Sequence, residues 1–175
     1  MLSDTPHVEE VLVGEVINND IIRKGGGAME VFRGGKVEEV IAVRLDSGDD
    51  VYECVERIAK EENIQTGVIV SGIGTFDKAR WHSISTTDFP PKNKLFEMEG
   101  PIEVSGISGI IADYKPHLHF TCANYDNKQV VDAHLEPGCK TLYLTELLIV
   151  KLSNLNLTRR LNQKLKVVQL RKSKI

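Results

Sequence analysis

PHLHFTCANYDNKQVVDAHLEPG, residues 116–138, reads as two β-segments folded back on each other, and its register decides how the rest of the chain is arranged. His117 and His119 are two apart, as on one face of a strand, where side chains repeat every second residue. Tyr125-Asp126-Asn127-Lys128 is turn-forming, because Asp and Asn tolerate the left-handed φ of a tight hairpin. With the turn centred between Asp126 and Asn127, facing residues have numbers that sum to 253. One face then pairs Leu118 with Leu135, Phe120 with Ala133 and Cys122 with Val131. The other pairs His117 with Glu136, His119 with His134 and Thr121 with Asp132. A slip of one residue would set apolar side chains against polar ones, at a cost wherever one face is buried. Hydrophobic sorting therefore sets His119 opposite His134, Cβ atoms about 5 Å apart, with His117 on the diagonal at about 7 Å.

Three converging imidazoles can hold a divalent metal, and zinc is the first choice for neutral imidazole nitrogen. His117, His119 and His134 are the candidate ligands. Three protein ligands leave a fourth position for water or a small ligand, as in a catalytic site. Glu136 and Asp132 share the histidine face, each a candidate fourth ligand, orienting acceptor or general base. The same residues also fit a plainer pattern, polar side chains on the solvated face of an antiparallel hairpin.

Outward from the hairpin, the chain of 175 residues fits one domain with a real core and has ordinary globular composition, 41% hydrophobic and 27% charged. No window reaches the length of a membrane span, and MLSDTPHVEEV lacks a hydrophobic signal core, so a cytoplasmic location is expected. Cys54, Cys122 and Cys139 are widely spaced and form no Cys-x-x-Cys, which favours reduced thiols. The net charge of −3 is unevenly spread: from Lys151 onward there are eight Lys and Arg and no acid, leaving 14 basic against all 25 acidic residues before it. A basic tail can bind nucleic acid, or lie against the acidic body of its own or a neighbouring subunit. The second is favoured, since the body repels phosphate.

Residues 1–39 read as an N-terminal extension, with a short strand in EEVLVGEVI and a flexible connection at Gly25-Gly26-Gly27, which lacks the Lys-Ser/Thr of a phosphate loop. VIAVRL (40–45) is a strand. DSGDDVYECVERIAKEEN is a helix with Val51, Cys54, Val55, Ile58 and Ala59 on one stripe, Ser47 and Asp50 as a capping box and Asn63 at the exit. TGVIVSGIG, KARWHSIS, LFEMEG, PIEVSGISGIIA and TLYLTELLIVKL are further strands, with TTDFPPKNK a loop. His82, alone on its strand, is left outside the metal set. Residues 153–175 form a basic segment packed on the domain, irregular except for a short strand near Lys166 to Leu170. One helix with about seven strands makes an α+β domain with a largely antiparallel sheet.

RLDSGDDVYECVERIAKEENI, GVIVSGIGTFDKARW, FEMEGPIEVSGISGII, HLHFTCANYDNKQVVDAHLEPG and TLYLTELLIVKL, in this order over residues 40–152, resemble the PPC (plants and prokaryotes conserved) domain. The resemblance implies a homotrimer in which the sheet of one subunit lies on the next. It also implies that His117, His119 and His134 bind zinc or a similar ion. Members usually carry Gly-Gly-His-Leu where this chain has Asp132-Ala133-His134-Leu135, so the histidine is kept and the glycines are not. The Arg-Gly-Arg-Pro core with which plant members grip the minor groove is absent. Three functions are in view: a metal-binding homotrimer acting on or binding a small ligand, a DNA-binding protein using the basic tail, and a protein-interaction scaffold with structural metal.

Overall fold

A computed structural model describes residues 20–23 and 28–173. The strand expected in EEVLVGEVI and the connection at residues 25–27 lie outside these. The described residues fall into two units, one ending at Arg33 and the other beginning at Gly34. In the first, β1 (Asp20–Arg23) pairs antiparallel with β2 (Ala28–Val31).

The second unit runs β3 (Lys36–Asp46), α1 (Val51–Glu61), β4 (Thr66–Ile84), β5 (Asn93–Ala112), β6 (Lys115–Asn124), β7 (Gln129–Leu135), β8 (Lys140–Ser153), β9 (Leu157–Asn162) and β10 (Val167–Lys172). β3 to β8 form one antiparallel sheet in the order β3-β8-β4-β5-β6-β7. Among the described residues the fold is thus α+β with one helix, as the patterning predicts. β7 also pairs back onto β4, so the sheet closes on itself at that end.

The strand count differs from expectation in an instructive way. TGVIVSGIG and KARWHSIS belong to a single strand of 19 residues, and LFEMEG and PIEVSGISGIIA to one of 20. Register shifts between Phe76 and Lys78 bend β4 without ending it, the usual work of a bulge. The C-terminal segment holds two strands instead of one: β9 and β10 pair as a hairpin, and Asn162 Oδ1 accepts from Lys164 N and Leu165 N to form its turn.

The helix is capped by Asp50 and not by Ser47. Asp50 has extended backbone and accepts from Glu53 N at 3.1 Å, whereas Gly48 takes φ +90° in the preceding turn. Asn63, at φ 52°, supplies the left-handed exit. Val51, Cys54, Val55 and Ala59 are buried on one stripe. They meet a core of Ile69, Phe76, Ile102, Ile107, Leu118, Phe120, Leu135 and Ile149. Each such side chain contributes about 1.5–3 kcal/mol on burial. The Phe76 and Phe120 rings touch at 6.1 Å between centroids, under the hairpin that carries the histidines. All three cysteines are free and buried, and burial pushes the Cys122 thiol up to about 11 and Cys139 to about 12. No helix among the described residues is long and apolar enough to cross a membrane.

Candidate metal centre

The β6–β7 ladder runs from Asn124–Gln129 to His119–His134 in the predicted register, with Phe120 on Ala133, Thr121 on Asp132 and Cys122 on Val131. It stops there because β7 changes partner: Leu135 pairs with Trp81 and His134 with His82. Leu118 and Leu135 are both fully buried, but no ladder pair joins them. Glu136, expected beside His117, donates its N–H to Arg80 O at 3.0 Å and turns its carboxylate to His82.

Four imidazoles meet where β4, β6 and β7 come together. From the His134 ring centroid, His82 lies at 4.2 Å, His117 at 4.6 Å and His119 at 5.3 Å. With Asp132 and Ile84 they line a cavity of about 340 Å³. His82, left out on sequence grounds, is the nearest neighbour of His134. The missed signal is a second instance of the sorting rule. Pairing Trp81 with Leu135 and His82 with His134 matches apolar with apolar and histidine with histidine, between strands far apart in sequence.

The carboxylate of Glu136 organises one side of the cluster. His82 Nδ1 is 2.5 Å from Glu136 Oε1, so an Nδ1–H donates to the carboxylate. His134 Nδ1 lies 3.4 Å from the same oxygen, is buried, and makes no hydrogen bond. Donor atoms of His82, His134 and Glu136 all lie within 4.8 Å of one another, a spacing a metal ion can bridge. His117 and His119 approach the same ring from β6, on a more exposed face. Loss of hydration holds His134 down at about 4, helped by the neighbouring His82 and His117 and opposed by Glu136. Loss of hydration, then the Arg159 charge, lowers His117 as well. Both rings are therefore neutral at physiological pH, the form in which imidazole ligates metal.

The turn that carries Glu136 is fastened from below. Gly138 N donates to Asp50 Oδ2 at 2.7 Å, which ties the site to the start of α1. Cys139 Sγ sits 3.2 Å from both Arg80 N and Arg80 O, which fixes the same turn to β4.

Comparison with known proteins agrees with this architecture. The Plants and Prokaryotes Conserved (PCC) domain, the family written PPC above, matches residues 32–153. The metal-containing protein AF0104 of Archaeoglobus fulgidus superposes with a TM-score of 0.68 at 24% identity, over 81% of this chain and 98% of that one. A "Putative DNA-binding protein" of Ralstonia eutropha JMP134 gives 0.62 at 22% identity, over 74% and 88%. The bifunctional protein GlmU of a Synechococcus strain is 27% identical over 111 residues, 63% of this chain, which spans only 16% of that relative's length. With the family's sequence pattern spread over the whole closed sheet and its helix, this chain belongs to the Plants and Prokaryotes Conserved domain family.

Proposed function

We propose that this chain is a metal-binding homotrimer of its family, holding a divalent, zinc-like ion on His117, His119 and His134. The observation that carries the reading is the His134 ring, whose buried Nδ1 makes no hydrogen bond and whose centroid lies within 5.3 Å of three other imidazoles. Leaving such a group unsatisfied costs about 1–3 kcal/mol, which a bound ion or a closer approach of Glu136 relieves. The donor set suits the ion, since neutral imidazoles are favoured ligands of zinc. Glu136 fixes His82 and lies next to His134, the arrangement that orients metal-bound histidines. His82 is the fourth imidazole in reach. Asp132, exposed on the cavity wall, is then the candidate general base, because Glu136 is engaged. A bound divalent ion would polarise a ligand oxygen or acidify a bound water.

Self-association is supported by the open face of β3, β8 and β4, where Val40 is 55% and Ile73 51% exposed in a row with Leu144 and Leu148. Such an apolar patch marks an interaction surface. The neighbour from Archaeoglobus fulgidus, a metal-containing protein, favours the metal; the one from Ralstonia eutropha favours a second reading, nucleic-acid binding.

Metal analysis of protein purified without a polyhistidine tag tests the proposal. About one equivalent per chain is expected, lost in His134→Ala and His119→Ala, with a solution mass of three chains. Wild-type protein that takes up no zinc at neutral pH would refute it. A wild-type protein without metal that binds DNA with steep salt dependence would turn the assignment to the second reading.

A further inference from the structure

The family match ends at residue 153, yet the hairpin beyond it delivers a cation to the histidine face. β9 is anchored at its first residue: Leu157 is 5% exposed, its N–H donates to Thr66 Oγ1 at 2.9 Å, and its carbonyl accepts from Gln65 Nε2 at 2.9 Å. Side chains alternate along a strand, so Arg159 turns to the same side as buried Leu157, while Arg160 is exposed. The Arg159 guanidinium donates through Nη1 to Lys115 O at 3.1 Å and through Nη2 to Ile110 O at 2.9 Å. Ile110 is the cross-strand partner of His117, and Lys115 is two residues before it. The cation therefore brackets the position of a proposed metal ligand.

Two features of this guanidinium need a reason. It is partly buried, and no carboxylate among the described residues forms an ion pair with it, although charges out of water are usually paired. Guanidinium has five N–H donors, and the two carbonyls leave about three unused. Its charge also stands beside neutral imidazoles, where a metal dication would repel it. An anion bound between them answers both. The electrostatic influence of Arg159 on His117 agrees with this proximity.

We propose that Arg159, supplied by the C-terminal hairpin, is the anion-recognising residue of the histidine site, and that the small ligand reaching it carries a carboxylate or phosphate group. This rests on the metal reading for the other half of the contact. Arg159 is a positioning residue for that ligand, and Asp132, a carboxylate on the wall of the histidine cavity, marks the end from which an anion is repelled.

The test uses cobalt(II)-loaded full-length protein, whose visible absorption reports ligands entering the metal's open position, titrated with acetate in one arm and inorganic phosphate in the other. Wild type is expected to show a saturable change with at least one of them. Arg159→Gln should raise that dissociation constant at least tenfold, Arg159→Lys by less, and Arg160→Gln not at all, with cobalt stoichiometry unchanged in all three. The arm that saturates at lower concentration identifies the group. Equal anion affinity in Arg159→Gln and wild type, or no saturable change with either anion, overturns the proposal and leaves the metal reading standing. Should the wild type take up no cobalt, the metal reading falls. The Arg159 claim is then read from the guanidinium nitrogen resonance in metal-free protein: a saturable shift with either anion keeps it, and none overturns it.

Discussion

Asp50 connects the helix to the site, and its removal should separate two energies that the structure keeps apart in two oxygens. Oδ1 accepts from Glu53 N at 3.1 Å as the helix cap, and Oδ2 accepts from Gly138 N at 2.7 Å, with Lys140 Nζ 3.6 Å away. Asp50 is 5% exposed, so water replaces neither bond easily. Loss of the cap costs about 1 kcal/mol, and stranding the Gly138 N–H costs about 1–3 kcal/mol. Asp50→Ala loses both, roughly 2–4 kcal/mol when the two costs add. Asp50→Ser keeps a capping oxygen but is too short to reach Gly138, so it should lose about 1 kcal/mol less than the alanine variant. Urea unfolding at fixed protein concentration, with unchanged m, reads both values. The variants should also bind metal more weakly, since Glu136 sits two residues before the released glycine. Serine as stable as wild type would show that the Gly138 bond is idle, and serine as damaging as alanine would show that the cap is.

Two further outcomes follow from the same geometry. In the metal-free protein, His134 is held at about 4 in the folded state against an ordinary 6.5. The unfolded chain therefore binds a proton first, so stability is full above pH 6.5 and declines towards pH 4, by at most about 3 kcal/mol; His134→Asn should flatten that decline in pH-dependent urea midpoints, and an unchanged slope would contradict the burial assigned to this ring. Gly109→Ala would place a Cβ 2.1 Å from His117 O and 2.9 Å from Leu118 Cδ2, so β5 and β6 must part at the histidines. A loss of about 3 kcal/mol or more is expected by denaturation, together with weakened zinc uptake, whereas Gly106→Ala, which meets nothing within 4 Å, should stay close to wild type.

The legible parts of this protein are those where the information is local. The His119–His134 register was readable because a turn centred between Asp126 and Asn127 and an alternating pattern leave a single alignment that keeps Phe120, Cys122 and Val131 together. The helix was readable from its stripe, but its first residue was not. Ser47 and Asp50 are both good caps by chemistry, and the Gly138 N–H, 88 residues away in sequence, adds a contact that favours Asp50 in the role. The same holds for the strands. A glycine-rich break such as Ser71-Gly72-Ile73-Gly74 looks like a strand end. In the fold, a Cβ at Gly72 or Gly74 would lie under 3 Å from Leu147, Ile107 or Thr145, so these glycines let neighbouring strands approach while β4 continues.

That continuity is what makes the site. β4 keeps β5 as a neighbour along most of its length, but its other side passes from β8 near Gly67–Lys78 to β7 at Trp81 and His82. A strand that ended near Phe76 would leave β7 as an open edge and His134 with only the two β6 histidines. By running on through the bulge, β4 closes the sheet, brings His82 and the Glu136 turn to the remaining side of His134, and converts a half-exposed face into a walled cavity. Closure of the sheet and assembly of the imidazole cluster are one structural event. A change that opens the β4–β7 pairing, far from any of the predicted ligands in sequence, should therefore disperse the cluster as surely as removing a histidine.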